Sequence, residues 1–212
     1  LNAPVEFAYL KRVLTDPRVA FIWFGDPGLA RVSPTKGFYY PYPLVYEEIP
    51  PAEKRDVITL FCPDKPSKNI YAQLLAMATV QRKRPELVLH TNIADLRGLE
   101  AQLNVVKHPW LPRPEYHALL ASARMNLAVS FAETFAYQAA ESVLLGTPCL
   151  LSQAIPWAPP GGPTPLGADS ISHHLDYTLD HVALHLEHQR NALEGYAHRF
   201  SPQEWQRLCL DR

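Results

Sequence analysis

From residue 57 to residue 151 the chain alternates short, continuously apolar runs with longer runs of helix formers, and this alternation leaves few folds open to it. The apolar runs predict strands over 57–61, 87–90, 104–107, 125–129 and 148–151. Between them the pattern predicts helices over 69–81, 94–102, 114–123 and 134–145. Strands that are apolar on both faces must be covered on both faces, and a strand-helix-strand order makes neighbouring strands parallel. The expected class is α/β: a Rossmann-like parallel sheet with helices on both faces and a ligand crevice at the carboxyl ends of the strands.

Residues 130–152 (SFAETFAYQAAESVLLGTPCLLS) sharpen this into chemistry. A strand over 125–129 feeds a helix with no interior proline or glycine, and Gly146 stops it. Free backbone N–H groups near Thr134 to Ala136 would then face the crevice, where the helix N-terminus favours an anion such as a phosphate. Glu133 and Glu141, eight positions apart, would lie roughly 12 Å apart along the axis at about 1.5 Å per residue. A diphosphate held between them, with a hydroxyl-bearing ring at each end, has the shape of a nucleotide-sugar. The plainer alternative is a first-turn acid favoured by the helix dipole and a solvated surface glutamate.

The stretch resembles the donor-binding domain of retaining GT-B glycosyltransferases, those related to glycogen and sucrose synthases (family 4-like), in which two glutamates are separated by seven residues. The resemblance takes in Glu133 and Glu141, Phe135, Ala140-Glu141-Ser142 and Gly146-Thr147-Pro148-Cys149. Upstream, Ser67-Lys68-Asn69 is similar to the family's phosphate-contacting lysine. His108-Pro109-Trp110-Leu111-Pro112 is similar to its loop beside the nucleobase. Two departures stand out. Thr134 and Ala136 replace the glycines that usually flank the aromatic, and Cys62-Pro63 stands where an arginine is usual, with Lys65 as a substitute point charge.

The resemblance implies one half of a GT-B fold and transfer of a sugar from a nucleoside diphosphate to an acceptor hydroxyl with retention, without a metal or other cofactor. Lys68 and the N–H groups of Thr134, Phe135 and Ala136 would stabilise leaving-group charge. Glu133 would contact the donor sugar, and Glu141 the ribose hydroxyls. Trp110 and Leu111 would flank the base, and Asn92, in a strand-end loop, is a further pocket candidate or simply a turn former. The alternatives are a non-catalytic nucleotide- or sugar-phosphate-binding module with a degenerate phosphate site, and a scaffold for protein contacts.

Composition narrows the rest. With 212 residues, 47% of them hydrophobic, the chain can bury a sizeable core. A net charge of −1 without a basic run argues against nucleic acid as a partner. No apolar run reaches the roughly 20 residues that span a bilayer, and no signal peptide opens the chain, so a soluble protein is expected. Cys62, Cys149 and Cys209 lack metal-ligand spacing and fit a reducing cytoplasm. His181, His185 and His188 share a helix face, which reads as a polar surface rather than a metal site; His173 and His174 carry no more.

Outside the alternating region, 7–14 predicts a short helix and 18–24 a strand. The Pro/Tyr-rich 33–51 reads as a linker or, through Tyr39, Tyr40 and Tyr42, a stacking surface. Residues 156–167 (PWAPPGGPTPLG) predict an exposed, mobile loop beside the site. Helices are expected over 175–196 and 202–210, the latter carrying Trp205. Residues 1–50 are thus expected to be the end of an acceptor domain plus linker, and 51–212 the donor domain with its C-terminal helices. A chain that begins at Leu1 and shows one such domain suggests that an N-terminal acceptor domain is missing.

Overall fold

Five strands form the parallel sheet that the alternation predicts. They are β3 (Val57–Leu60), β4 (Val88–Thr91), β5 (Val105–Lys107), β6 (Met125–Ala128) and β7 (Cys149–Leu151), side by side in the order β5-β4-β3-β6-β7. The computed structural model describes residues 8, 11–19, 22–24, 37–39, 52–163 and 167–198. These fall in two units, Leu1–Leu44 with Ala197–Arg212, and Val45–Tyr196. In the first unit, residues 11–15 are helical, and β1 (Ile22–Phe24) pairs in parallel with β2 (Gly37–Tyr39). The rest of the Pro/Tyr-rich segment and the helix expected over 202–210 lie outside the described residues.

The second unit is a three-layer stack. Ile58 and Leu60 of β3 point into a core shared with α1 (Ile70–Gln81) and α4 (Ala168–Asp180). Val57 and Phe61 turn the other way, onto Leu119 and Ala123 at the end of α2 (Arg113–Ser122). This period of two explains why β3 has no polar face. Helix α1 packs against both the sheet and α4, so eight of its twelve residues are buried and no clean polar stripe remains.

Two helix predictions and one loop prediction need correction. The helix expected over 94–102 is only a 3-10 turn, Glu100–Gln102. Asp95 accepts a hydrogen bond from the Arg97 N–H (2.8 Å), Arg97 and Gly98 both take positive φ, and this local turn outcompetes the helix. The helix expected over 175–196 is two, α4 and α5 (Val182–His198), separated at His181, whose ring bonds back to the Tyr177 carbonyl (2.8 Å). The loop over 156–167 is anchored through its described residues. Trp157 is buried and donates to the Phe135 carbonyl (2.7 Å), and a Cβ at Gly162 would meet the Leu151 carbonyl oxygen at 2.3 Å. At the sheet edge, the buried carboxamide of Gln189 bonds both the N–H (2.8 Å) and the C=O of Cys149.

Arg84 ties the end of α1 to α4 by ion pairs to Asp176 (2.8 Å) and Asp180 (2.7 Å). Its hydrogen bond holds the Asp176 carboxyl below the usual range. Burial, reinforced by His188, His181 and His174, holds His185 below the ordinary histidine value; burial and then His108 do the same to His90. All three groups take up protons more readily unfolded than folded, so stability rises with pH across their range. The urea midpoint should therefore fall as pH drops below about 6.5 and fall further below about 4. A midpoint that is flat or rising from pH 7 to 5 would contradict this.

Candidate functional site

The strand order reverses between β3 and β6, because the chain lays β4 and β5 to one side of β3 and then returns to place β6 and β7 on the other. Loops leaving β3 and β6 diverge there, and a crevice opens at their carboxyl ends. A cleft of about 350 Å³ occupies that position, within the size range of small-molecule sites. Its wall includes Cys62 and Pro63 after β3, Ser130 after β6, and the start of α3 (Tyr137–Leu144).

Lys68 closes a single 3-10 turn, Pro66–Lys68, which Asn69 leaves in the left-handed conformation (φ 51°) before α1 begins. Its Nζ donates to Glu133 Oε1, and Ser130 Oγ donates to the same oxygen at 2.9 Å. Both partners of the ion pair are partly shielded, with side chains 20% and 13% exposed. The Phe131 N–H donates to the Ser67 carbonyl (2.8 Å), so the two loops are joined through their backbones as well. Glu141, one turn into α3, faces Arg113 Nη2 and His117 Nε2, each at 3.4 Å.

The helix itself starts three residues later than the sequence predicts. Ala136 takes a left-handed conformation (φ 63°, ψ 65°) as the residue before α3, so Glu133, Thr134 and Phe135 form a loop rather than a first turn. The axial spacing of roughly 12 Å between the glutamates therefore does not apply, since only Glu141 is on the helix. Both carboxylates nonetheless line one cleft, with Thr134, Ala136 and Trp110. An alanine with this φ carries about 1–2 kcal/mol of strain that a glycine would not. This is one of the two flanking positions at which the sequence departs from the expected glycine.

The side chains of three expected donor-binding residues, one of them expected to act through its backbone N–H, do not line the cleft. Phe135 is buried in an aromatic cluster with Tyr137 and Trp157, ring centroids 4.8 and 6.4 Å away, so its side chain braces the loop. Leu111 packs on the core beneath α2. The Asn92 carboxamide accepts from the Cys62 N–H (3.0 Å) and donates to the Cys62 carbonyl (3.1 Å), which makes it a strand-end brace. Trp110, by contrast, is 65% exposed at the cleft.

Lys68 is the cation among the described lining residues, against the two glutamates. Burial pushes the Cys62 thiol up to about 12, so the position where an arginine was expected is neutral at physiological pH. Sequence reasoning missed Gln73, Ser130, Gln138 and Tyr116. Gln138 donates to Asn126 (3.3 Å), which also accepts from Thr59 (3.0 Å), giving the cleft a buried polar floor. The buried Tyr116 hydroxyl has no hydrogen-bond partner among the described residues. Polar residues inside otherwise apolar segments, Gln73 in IYAQLLAMATVQ and Asn126 in MNLA, were the available signal. Among the described residues no three His, Cys, Asp or Glu side chains gather as metal ligands, and no helix is long and apolar enough to cross a membrane.

No protein-family model matches the sequence, and no curated protein matches it significantly. Solved structures do resemble its fold. TarM matches 96% of this chain and 45% of its own at 10% identity, TM-score 0.74. A TarM variant solved with fondaparinux, alpha-GlcNAc-glycerol and UDP matches 92% and 45% at 12% identity, TM-score 0.72. The C-terminal domain of a group 1 glycosyl transferase, LpcC from Francisella tularensis, matches 68% and 91% at 14% identity, TM-score 0.55. The fold is the Rossmann-like half of the GT-B glycosyltransferase architecture, and the chain spans a little under half the length of TarM.

Proposed function

We propose that this chain is the nucleotide-sugar-binding half of a retaining glycosyltransferase, which moves a sugar from a nucleoside diphosphate to an acceptor hydroxyl bound by a further domain. The observation that carries this reading is the convergence of Lys68, Glu133 and Glu141 on one cleft at the topological switch point of a GT-B half. The arrangement suits electrostatic catalysis. As the bond from the anomeric carbon to the diphosphate breaks, negative charge grows on the leaving phosphate, where Lys68 and the amino end of α3 stabilise it. A bound phosphate exchanges with Glu133 for Lys68, which frees the Glu133 carboxylate to accept from sugar hydroxyls. Glu141 takes the ribose hydroxyls, and Trp110 offers a ring face to the base.

One observation favours a second reading, a nucleotide-binding module without turnover: Lys68 is already paired and Cys62 carries no charge. Titration with UDP, GDP and ADP by calorimetry tests the shared premise. One nucleotide is expected to bind, and Glu141→Ala to weaken it about tenfold through lost charge-assisted hydrogen bonds. No heat with any of the three, from protein shown to be folded, would overturn both readings. Turnover by the whole two-domain protein separates the first from the second.

A further inference from the structure

We propose that Gln73 is a positioning residue for this cleft: its carboxamide clamps the loop that carries Lys68 to the loop that carries Glu133, and so fixes where the ammonium group meets a phosphate. The inference rests on the functional reading above. Gln73 is 1% exposed on the first turn of α1. Burying an amide in an apolar helix is unfavourable unless both of its ends are bonded. Here both are. Nε2 donates to the Lys68 carbonyl at 2.7 Å, and Oε1 accepts from the Val129 N–H at 3.0 Å.

Those two backbone groups lie on opposite sides of the cleft wall. Lys68 ends the 3-10 turn after β3, whereas Val129 is the first residue past β6, four positions before Glu133. Strand pairing stops short of this point, since β3 and β6 pair through Ile58–Met125 and Thr59–Asn126. Beyond it the loops are held by Gln73, by the Phe131–Ser67 backbone bond and by the Lys68–Glu133 ion pair itself. The ion pair dissolves when a phosphate takes Lys68. Gln73 remains, and keeps the lysine backbone registered on the end of β6 while its side chain changes partners.

The same helix supplies an internal comparison. Gln81, two turns further on and also buried, donates to the carbonyls of Asn104 (2.7 Å) and Leu87 (3.0 Å) and accepts from the Asn104 N–H (3.0 Å). It does the same kind of bonding away from the cleft. If burial and backbone bonding were all that mattered, removing either amide would have the same consequences.

The test uses the full chain and the nucleoside diphosphate it binds, chosen from UDP, GDP and ADP, with calorimetry well below the melting temperature. Gln73→Met keeps the side-chain length and removes both bonds; it is expected to weaken binding about tenfold. Gln81→Met is expected to lower Tm comparably and to leave affinity within twofold. In a Lys68→Ala background, Gln73→Met should add less than twofold, because its effect passes through the lysine. Should Gln73→Met not fold, Gln73→Asn keeps a neutral amide but is one methylene too short to reach both backbone groups, with the same expectation. Wild-type binding that survives Gln73→Met unchanged, or a loss that persists undiminished without Lys68, overturns the clamp alone. Absence of any nucleotide binding by the wild-type chain overturns the functional reading, and the clamp with it.

Discussion

Lys68→Ala is expected to weaken nucleoside diphosphate binding about a hundredfold while changing the unfolding free energy by about 1 kcal/mol or less. The asymmetry follows from where the charge sits. A diphosphate entering the cleft meets two carboxylates and one ammonium, with a neutral thiol at the end of β3. One or two charge-assisted bonds from Lys68, at about 1.5–3 kcal/mol each, then make up most of the local attraction. The Lys68–Glu133 pair contributes much less to folding, because both groups retain solvent contact and Glu133 keeps its bond from Ser130. Calorimetry together with a urea melt separates the two effects. A loss of affinity below fivefold would mean that the phosphate is held by the amino end of α3 instead.

Leu74→Ala is expected to lower the unfolding free energy by about 3 kcal/mol, a drop in Tm of roughly 6–12 °C. Leu74 is fully buried in the core between the sheet, α1 and α4, beside Ile70 and Met77 one turn away on either side. That core is closed by strand side chains and by Ile171, Leu175 and Leu179 of α4, so the vacated volume has little freedom to collapse. Tyr71, on the exposed side of the same helix, is the control; its replacement by alanine should stay within about 0.5 kcal/mol. A Leu74→Ala loss under 1 kcal/mol, read from the urea midpoint at unchanged slope, would show that the two helices repack.

The sheet was legible because its strands are short, mainly apolar runs separated by helix formers, and β3, β6 and β7 are buried almost throughout, as a parallel sheet covered on both faces requires. All five lie within a residue of the expected position. Gly146 was legible as a stop for the same local reason, since its φ of 81° is one that glycine adopts without strain. The errors occur where side chains rewrite the backbone. Asp95 draws the Arg97 N–H away from a helix, and Ala136 adopts the left-handed turn that composition disfavours for it. Asp95 and Gly98 were a local signal for the first turn, whereas no local preference announces the second.

Of the candidate site, what could be read was that Lys68, Glu133, Glu141 and Trp110 face one cleft, because the two-glutamate spacing and the motifs of the resemblance mark those positions. Asn92 takes the strand-end role and the Phe135 ring is buried, each held by a residue distant in sequence, Cys62 and Trp157. Gln73 escaped because, as with Asn92, its partners are backbone atoms, and no residue type marks a carbonyl or an N–H as waiting for one.

The carboxamide of Gln189 on Cys149 bears on the company the chain keeps. Strand β7 ends the sheet, with β6 on one side, and a strand with bare backbone groups on the other recruits strands from other copies. Gln189 presents to Cys149 one N–H and one C=O, the same pair that a sixth strand would bring. Two residues along, the Gly162 backbone lies close against the Leu151 carbonyl. The border is therefore occupied by imitation: a side chain from α5 stands in for a peptide unit, and the chain's own sheet has already answered the invitation that an unpaired edge extends to its neighbours.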